Sequence, residues 1–593
     1  MKKFLVGLLA VIGFFSIVAV FGFAVLVLLA SSGKPTVPSS VLLEIDFEQG
    51  VIETIPPDPL AQLMLDDTMT VPMIVEALEK ASDDRRVKGV VARIGGEGIA
   101  MAHIQEIRDA VLRFRESGKP AVAWSETFGE FGPGNGGYYL ATAFDEIYMQ
   151  PSGDVGLTGL IYETMFMRGL YDKLDIELQL DQRHEYKNAM NSYTHREYTE
   201  PHREVMQSVI DSRFTQIVRG ISETRGLEED EVRDLFDRGP YLGEEAMDAG
   251  LVDGLAYRDE VYATMRESVG DKARLLYLPA YRERAGSPFN KGTTVAVIHG
   301  YGQVTRGGSR FSPLDGSVSM GSDTLTRAFR AAIDDDRVKA ILFRVDSPGG
   351  SYVASDSIWR ETLRAKEMGK PIIVSMGNLA GSGGYFVVMH ADHVVAQPGT
   401  ITGSIGVLGG KMVVTGLYEK LGISYDGVHT SRNSSQYSPN HPYDDAGYER
   451  FQAGLDRIYA DFTQKVAEGR GLDLERVQEI AKGRIWTGEQ ALEIGLIDEL
   501  GGIHVALDAI RATLDLAPDA QLKLREFPRV DMPWFAGLIE KTENSDVRSQ
   551  AIVESLREIQ PQIRGLRQAG WLGDPGVLVM QDYRALEPRV QIP

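Results

Sequence analysis

Short runs of β-branched and aliphatic residues alternate with amphipathic stretches through most of this chain, and the alternation occurs twice. In the later half the apolar runs are Thr294–Ile298, Ala340–Arg344, Pro371–Ser375 and Val394–Ala396. Runs of that length and composition predict buried strands. Between them, Leu325–Ile333 and Ser357–Met368 repeat their apolar residues at helical spacing, as a helix with one buried face does. Strands separated by helices predict right-handed βαβ units and a parallel or mixed sheet, hence an α/β fold. The earlier half opens on a similar strand, Val41–Phe47, and each half continues into a long helical segment, Arg203–Arg225 and Asp445–Arg470.

The two halves match residue by residue. Asp84–Arg93 corresponds to Asp335–Arg344, Gly118–Ala123 to Gly369–Val374, and Gly243–Asp253 to Gly488–Asp498. Matches kept in one order along the chain indicate a duplicated domain, and the period is too long for a solenoid. The expected organisation is a first repeat over 41–270, a connection over 271–293, and a second repeat over 294–527. A C-terminal extension over 528–593 follows, with an apolar patch at Trp534–Ile539 and a helix near Val547–Ala569.

Ahead of the first repeat the pattern changes completely. From Phe4 to Ala30, Ser16 is the only polar side chain, and as a helix this run spans about 40 Å against roughly 30 Å of membrane hydrocarbon. It predicts a single N-terminal transmembrane helix, with 31–40 as a Pro/Ser/Gly linker. Lys2 and Lys3 place the N-terminus in the cytoplasm and the body across the membrane. The alternative is a signal peptide cut within Leu28–Ser32, although such a segment has an apolar core of only about 7–15 residues.

Composition narrows the chemistry. Hydrophobic residues make up 43% and charged residues 25% of the 593, as in globular proteins. The formal charge of −22 and the lack of a basic stripe argue against nucleic-acid binding. The chain has no cysteine, so disulfides, thiolate catalysis and Cys-based metal sites are excluded. No metal-ligand or nucleotide-binding motif occurs, and neither a metal nor a cofactor is expected.

The copies differ where chemistry would lie. Gly134-Asn135-Gly136-Gly137-Tyr138-Tyr139 corresponds to Gly381-Ser382-Gly383-Gly384-Tyr385-Phe386, so only the second repeat has a hydroxyl there. His184-Glu185-Tyr186-Lys187-Asn188-Ala189 corresponds to His429-Thr430-Ser431-Arg432-Asn433-Ser434, so only the first has a lysine. A serine becomes a nucleophile at neutral pH only beside a base, and a lysine serves as one once desolvation lowers its pKa. Ser382 and Lys187 are therefore a candidate pair, with Lys187 alternatively an ordinary surface lysine. Ser404, in Gly403-Ser404-Ile405-Gly406, stands where the first copy has Leu157 and could orient the amine or be a loop serine. Asp346-Ser347-Pro348-Gly349-Gly350 ends a strand and opens a helix; its glycines expose backbone N–H groups to a ligand oxygen, or simply make a tight turn. A Ser-His-Asp triad through His390 or His393 is a further alternative. His184 and His429, present in both copies, read as structural.

Together, the N-terminal anchor, Asp-Ser-Pro-Gly-Gly at 346–350, Ser-Gly-Gly-Tyr at 382–385, Thr-Gly-Ser-Ile-Gly at 402–406 and Tyr186-Lys187 resemble the long, double-repeat form of the signal peptide peptidase A (protease IV) family over nearly all of residues 1–520. The resemblance implies two tandem Clp/crotonase-like repeats and a serine endopeptidase using a Ser/Lys dyad. Ser382 would be the nucleophile, Lys187 the base and Ser404 the lysine-positioning hydroxyl. Gly350 and Gly383 would supply the oxyanion N–H groups. It also implies released signal peptides as substrates, a homo-oligomer (a tetramer), and a single-pass inner-membrane protein with its catalytic body on the periplasmic side. Asn188-Ala189-Met190-Asn191-Ser192 departs from the Ser-Ala-x-Glu-Pro of similar sequences. The competing functions are a crotonase-type acyl-CoA enzyme and an inactive membrane scaffold.

Overall fold

The computed structural model describes residues 36–65, 68–95, 98–270 and 272–528. In the first copy the strands are β1 (Val41–Asp46), β2 (Val87–Arg93), β3 (Ala121–Ser125) and β4 (Glu146–Met149), with helix α1 (Met101–Glu116) between β2 and β3. Helix α2 (Asn135–Ala141) joins β3 to β4. Strand β5 (Glu177–Gln182) leaves the sheet and is followed by helix α3 (Glu200–Arg225), after which β6 (Gly254–Leu255) and β7 (Arg274–Tyr277) return to it. The order is β6-β4-β3-β2-β1-β7, with every pair parallel.

The second copy repeats this scheme with β8 (Thr293–Tyr301), β9 (Val338–Ser347), helix α4 (Tyr352–Glu367), β10 (Ile372–Gly381), the short helix α5 (Gly383–Phe386) and β11 (His393–Ala396). Strands β12 (Ile401–Gly403) and β13 (Leu408–Val413), helix α6 (Asp445–Arg470), β14 (Ile485–Thr487), β15 (Glu499–Leu500), helix α7 (Ile503–Thr513) and β16 (Leu522–Phe527) complete it. The main path is β14-β12-β10-β9-β8-β16, and β11 pairs with both β10 and β15. Strands β9 and β10 run ten residues each and are buried along most of their length, as expected of apolar runs covered on both faces.

The long helices α3 and α6 are twins in length and in how they begin and end. Thr199 and Asp444 cap them by accepting from the N–H groups of His202 and Gly447, and Gly226 and Gly471 stop them in the left-handed conformation, at φ +68° and +63°. The expected connection over 271–293 is itself structured: Arg274–Tyr277 completes the first sheet, and a helix follows over Leu278–Ala285. With only Leu275 and Leu276 apolar before the tyrosine, that strand was too short to stand out by pattern.

The copies share one core. Val295, Val297, Leu342 and Ile373 of the second sheet pack in the same buried cluster as Ile74, Ile107 and Val111 of the first copy. Polar contacts fix the alignment. Gly399 N donates to Gln105 Oε1 (2.7 Å), Ile503 N to Glu106 Oε1 (2.8 Å), and Arg213 Nη2 to Gly399 O (2.9 Å).

The transmembrane helix expected over 4–30 lies outside the described residues, as do 31–35 of the 31–40 linker and nearly all of the 528–593 extension, including its 534–539 patch and 547–569 helix. Among the described residues no helix is long and apolar enough to cross a membrane. The 26-residue helices α3 and α6 have the length, but charged side chains recur along both, and such groups are costly in hydrocarbon. No described helix therefore bears out the expectations of a fold class with a spanning helix, a membrane-anchored function, a membrane partner or a single-pass inner-membrane placement.

Candidate active site

Ser382 lies between the end of β10 and the first residue of α5, at φ +53° and ψ −115°. Ser404, directly after β12, has φ +52°. The register pairs Gly381 with Gly403, so the two serines leave neighbouring strands side by side; Ser382 N donates to Gly403 O (2.8 Å). Positive φ in a residue with a Cβ costs about 1–3 kcal/mol and concentrates where function requires it. Both serines are buried.

Lys187 arrives from the first copy. Strand β5 pairs antiparallel with β13, from Glu177↔Val413 to Gln182↔Leu408, and this two-stranded ribbon carries the following turn into the second copy. There Arg183 N donates to Val407 O and Tyr186 N to Lys482 O. Two glycines make room for the lysine. A Cβ on Gly483, which sits at φ +79°, would stand 2.4 Å from Lys187 Cβ, and one on Gly406 would stand 3.2 Å from Lys187 Cδ.

The lysine side chain is fully buried. Its Nζ donates to the main-chain oxygen of Ser404 (2.7 Å) and to Ser404 Oγ (2.8 Å). Among the described residues it makes no hydrogen bond to Ser382. Burial lowers its pKa from 10.5 to about 7, because an ammonium without a counter-ion is disfavoured in a dry setting. The altered segment after it does not bind the amine: Asn191 Nδ2 donates to Thr199 Oγ1 (3.3 Å) and Ser192 Oγ to Ala189 O (3.3 Å). The lysine meets Ser404 of its own chain.

On the other side of Ser382, the 346–350 loop brings Gly350 close to Gly383. The Gly350 nitrogen lies 3.0 Å from where a Cβ on Gly383 would project. Val304 bonds to Gly349 O and Ser351 N, leaving the Gly350 N–H outside this exchange. Gly383 is the first residue of its helix, where an N–H has no intrahelical acceptor. Ser347 secures the loop: its Oγ donates to Gly302 O (2.6 Å) and accepts from Gly349 N (3.1 Å). Ser347 and Gly483 were not singled out from the sequence. The serine lay within a recognised motif, whereas nothing near Gly483 marks its contact with a lysine far earlier in the chain.

The other candidates face elsewhere. His390 Nδ1 accepts from Trp359 Nε1 (3.0 Å), and His393 Nε2 lies 2.9 Å from Glu499. His184 packs on Tyr459, while His429 is exposed beside His441, so only the former has the structural role expected of the pair. In the first copy, Asn135 replaces the serine and its amide is occupied: Oδ1 accepts from Thr158 N and Gly159 N, and Nδ2 donates to Gly159 O. Arg432, at the lysine position of the second copy, is exposed and bonds to Asp444.

The model of peptidase family S49 matches residues 113–272 and 364–517. Over 470 residues the chain is 30% identical to the chloroplastic serine protease SPPA of Arabidopsis thaliana, covering 78% of this chain and 68% of that one. It is 30% identical to protease 4 of Haemophilus influenzae over 524 residues, covering 85% and 80%, and to protease 4 of Salmonella typhi over 500 residues, covering 82% and 78%. With both of its α/β domains matched in tandem, the chain belongs to peptidase family S49, in the SppA/protease IV group of serine proteases.

Proposed function

We propose that the protein is a serine endopeptidase with a Ser/Lys dyad, Ser382 as nucleophile and Lys187 as base, acting on extended apolar peptides such as released signal peptides. The observation that carries this reading is the buried amine of Lys187, bonded to Ser404 beside the strained Ser382. A neutral amine has two hydrogens and one lone pair. With both hydrogens directed at Ser404 O and Oγ, the lone pair is left to accept the Ser382 proton, and hydrogen bonds of this kind tighten when substrate binds.

Ser382 Oγ attacks the peptide carbonyl as its proton passes to Lys187. The N–H groups of Gly350 and Gly383 stabilise the tetrahedral oxyanion, a term worth about 10²–10³ in rate per donor. The C–N bond breaks as the lysine returns the proton to the leaving amine, giving an acyl ester, and water activated by the same amine releases the acid. A preference for apolar peptides is supported by half-buried Tyr162, Tyr186 and Met206, which pack over the buried cluster of Leu379, Ile401, Ile485, Val205 and Val209; Leu379 is three residues from the nucleophile. A putative signal peptide peptidase of Enterococcus faecium, 36% identical over 178 residues, supports the choice of substrate.

A fluorophosphonate probe tests this reading. It is expected to modify Ser382, located by peptide mapping, at a rate that falls as pH drops through about 7 and the amine is protonated. Modification of another serine, or none with peptidase activity intact, would reject the dyad; the acyl-CoA alternative needs no serine nucleophile and predicts no label. Gly483→Ala is expected to lower kcat by about ten- to a hundredfold, because the new methyl must displace Lys187 and misplacement near 1 Å costs about 10². Unchanged kcat in that variant would show that the lysine does not depend on this contact.

A further inference from the structure

Strands β9 and β10 stay in step as far as Val345↔Met376 and resume at Ser347↔Ala380. One residue, Asp346, therefore faces three, Gly377, Asn378 and Leu379, and β10 bulges immediately before the turn that presents Ser382. Asp346 closes this bulge. Its Oδ1 accepts from Leu379 N (3.1 Å) and its main-chain oxygen from Gly302 N (2.9 Å). The same residue opens the loop leading to Gly350, so its position affects the nucleophile and an oxyanion donor together.

The remaining carboxylate oxygen of Asp346 faces the first copy. His103, on α1, places Nε2 3.4 Å from Asp346 Oδ2 and 3.0 Å from Glu53 Oε2, with an in-line hydrogen bond to neither, so the attraction is one of charge. Glu53 is held by Arg344 through Nε (2.7 Å) and Nη2 (2.9 Å), and Arg344 also donates to Glu106 Oε2 (2.7 Å) and Ser375 Oγ (2.7 Å). Gly377 makes room for the cluster, since a Cβ there would stand 2.9 Å from Glu53 Oε2 and 3.0 Å from Asp346 Cβ.

Two carboxylates, Glu53 and Glu106, thus share one guanidinium, a third, Asp346, lies across His103 from Glu53, and a protonated His103 reduces the imbalance. Burial favours the neutral imidazole, but Asp346 and Glu53 outweigh it and hold the pKa up to about 10. The donor types of Glu53, His103 and Asp346 would suit a metal ion, yet the guanidinium of Arg344 on Glu53 would repel a divalent cation there.

We propose that His103 is a positioning residue for the peptidase reaction. Supplied by the first copy as an imidazolium, it holds Asp346, and through Asp346 the Gly377–Leu379 bulge, in the arrangement that sets Ser382 and the Gly350 amide. This rests on the Ser/Lys reading above. It gives the first copy a second contribution to the site besides the lysine, made through the strand behind the nucleophile.

The test measures kcat per active site, with sites counted by fluorophosphonate titration of the full chain. His103→Gln is expected to lower kcat per titrated site about tenfold or more while KM stays within about twofold. Asp346→Asn keeps an oxygen for Leu379 N but removes the charge that draws the histidine, and is expected to fall similarly. The double variant should be little worse than either single, as for two groups acting through one contact. A merely structural role would lower the number of titratable sites or the thermal midpoint and leave turnover per site unchanged, and that result in either single variant overturns the proposal. Ser382→Ala in the same assay separates the two levels. If it is inactive while His103→Gln and Asp346→Asn turn over normally per site, only this inference fails; if it remains active, the dyad fails and this inference with it.

Discussion

Ser382→Ala is expected to lower peptide hydrolysis by about 10³-fold or more, leaving the residual catalysis that binding and oxyanion stabilisation sustain without a nucleophile. The fold should not change. What holds the turn is main chain, Ser382 N to Gly403 O and Phe386 N to Ser382 O, and alanine keeps both bonds and the same Cβ at φ +53°. The stability difference should therefore stay within about 1 kcal/mol. Steady-state peptidase assays and denaturant unfolding on the same preparation check both halves. More than a tenth of wild-type activity in a folded variant would remove Ser382 from the chemistry.

The same geometry explains what the sequence could and could not reveal. The strands of the second sheet were legible because β9 and β10 are buried on both faces, leaving uninterrupted apolar runs. Duplication made the site legible in another way, since comparing the copies isolated Ser382, Ser404 and Lys187 as the differences. The state of Lys187 was hidden. Its neighbours Arg183, His184 and Glu185 are those of a surface loop, and it is buried by contacts made more than 200 residues later, by β13 along β5 and by the bare backbones of Gly406 and Gly483. The His103–Asp346 link was hidden for the same reason. His103 lies on a helix whose pattern announces only a buried face, and the partner that gives it meaning is in the other copy.

Lys187→Met is expected to be as inactive as Ser382→Ala, and its stability should reveal the state of the amine in the native enzyme. Burial lowers the folded-state pKa to about 7, whereas in an unfolded chain the amine titrates near 10.4. Between these values the unfolded state holds a proton that the native state lacks, so this group makes stability rise with pH across that window; below it the full penalty applies, on the order of 4–5 kcal/mol. Methionine removes the penalty but leaves Ser404 O and Oγ without the donor they have now, a loss of about 1–3 kcal/mol. The first effect is the larger near pH 6 and has fallen below about 1 kcal/mol near pH 10. The variant should accordingly be more stable than wild type in acid and less stable in alkali, with a crossing between, and wild-type kcat/KM should rise with pH through about 7. A stability difference that does not vary with pH would mean that Lys187 is not held as a depressed, desolvated amine, and the assignment of the base would fall with it.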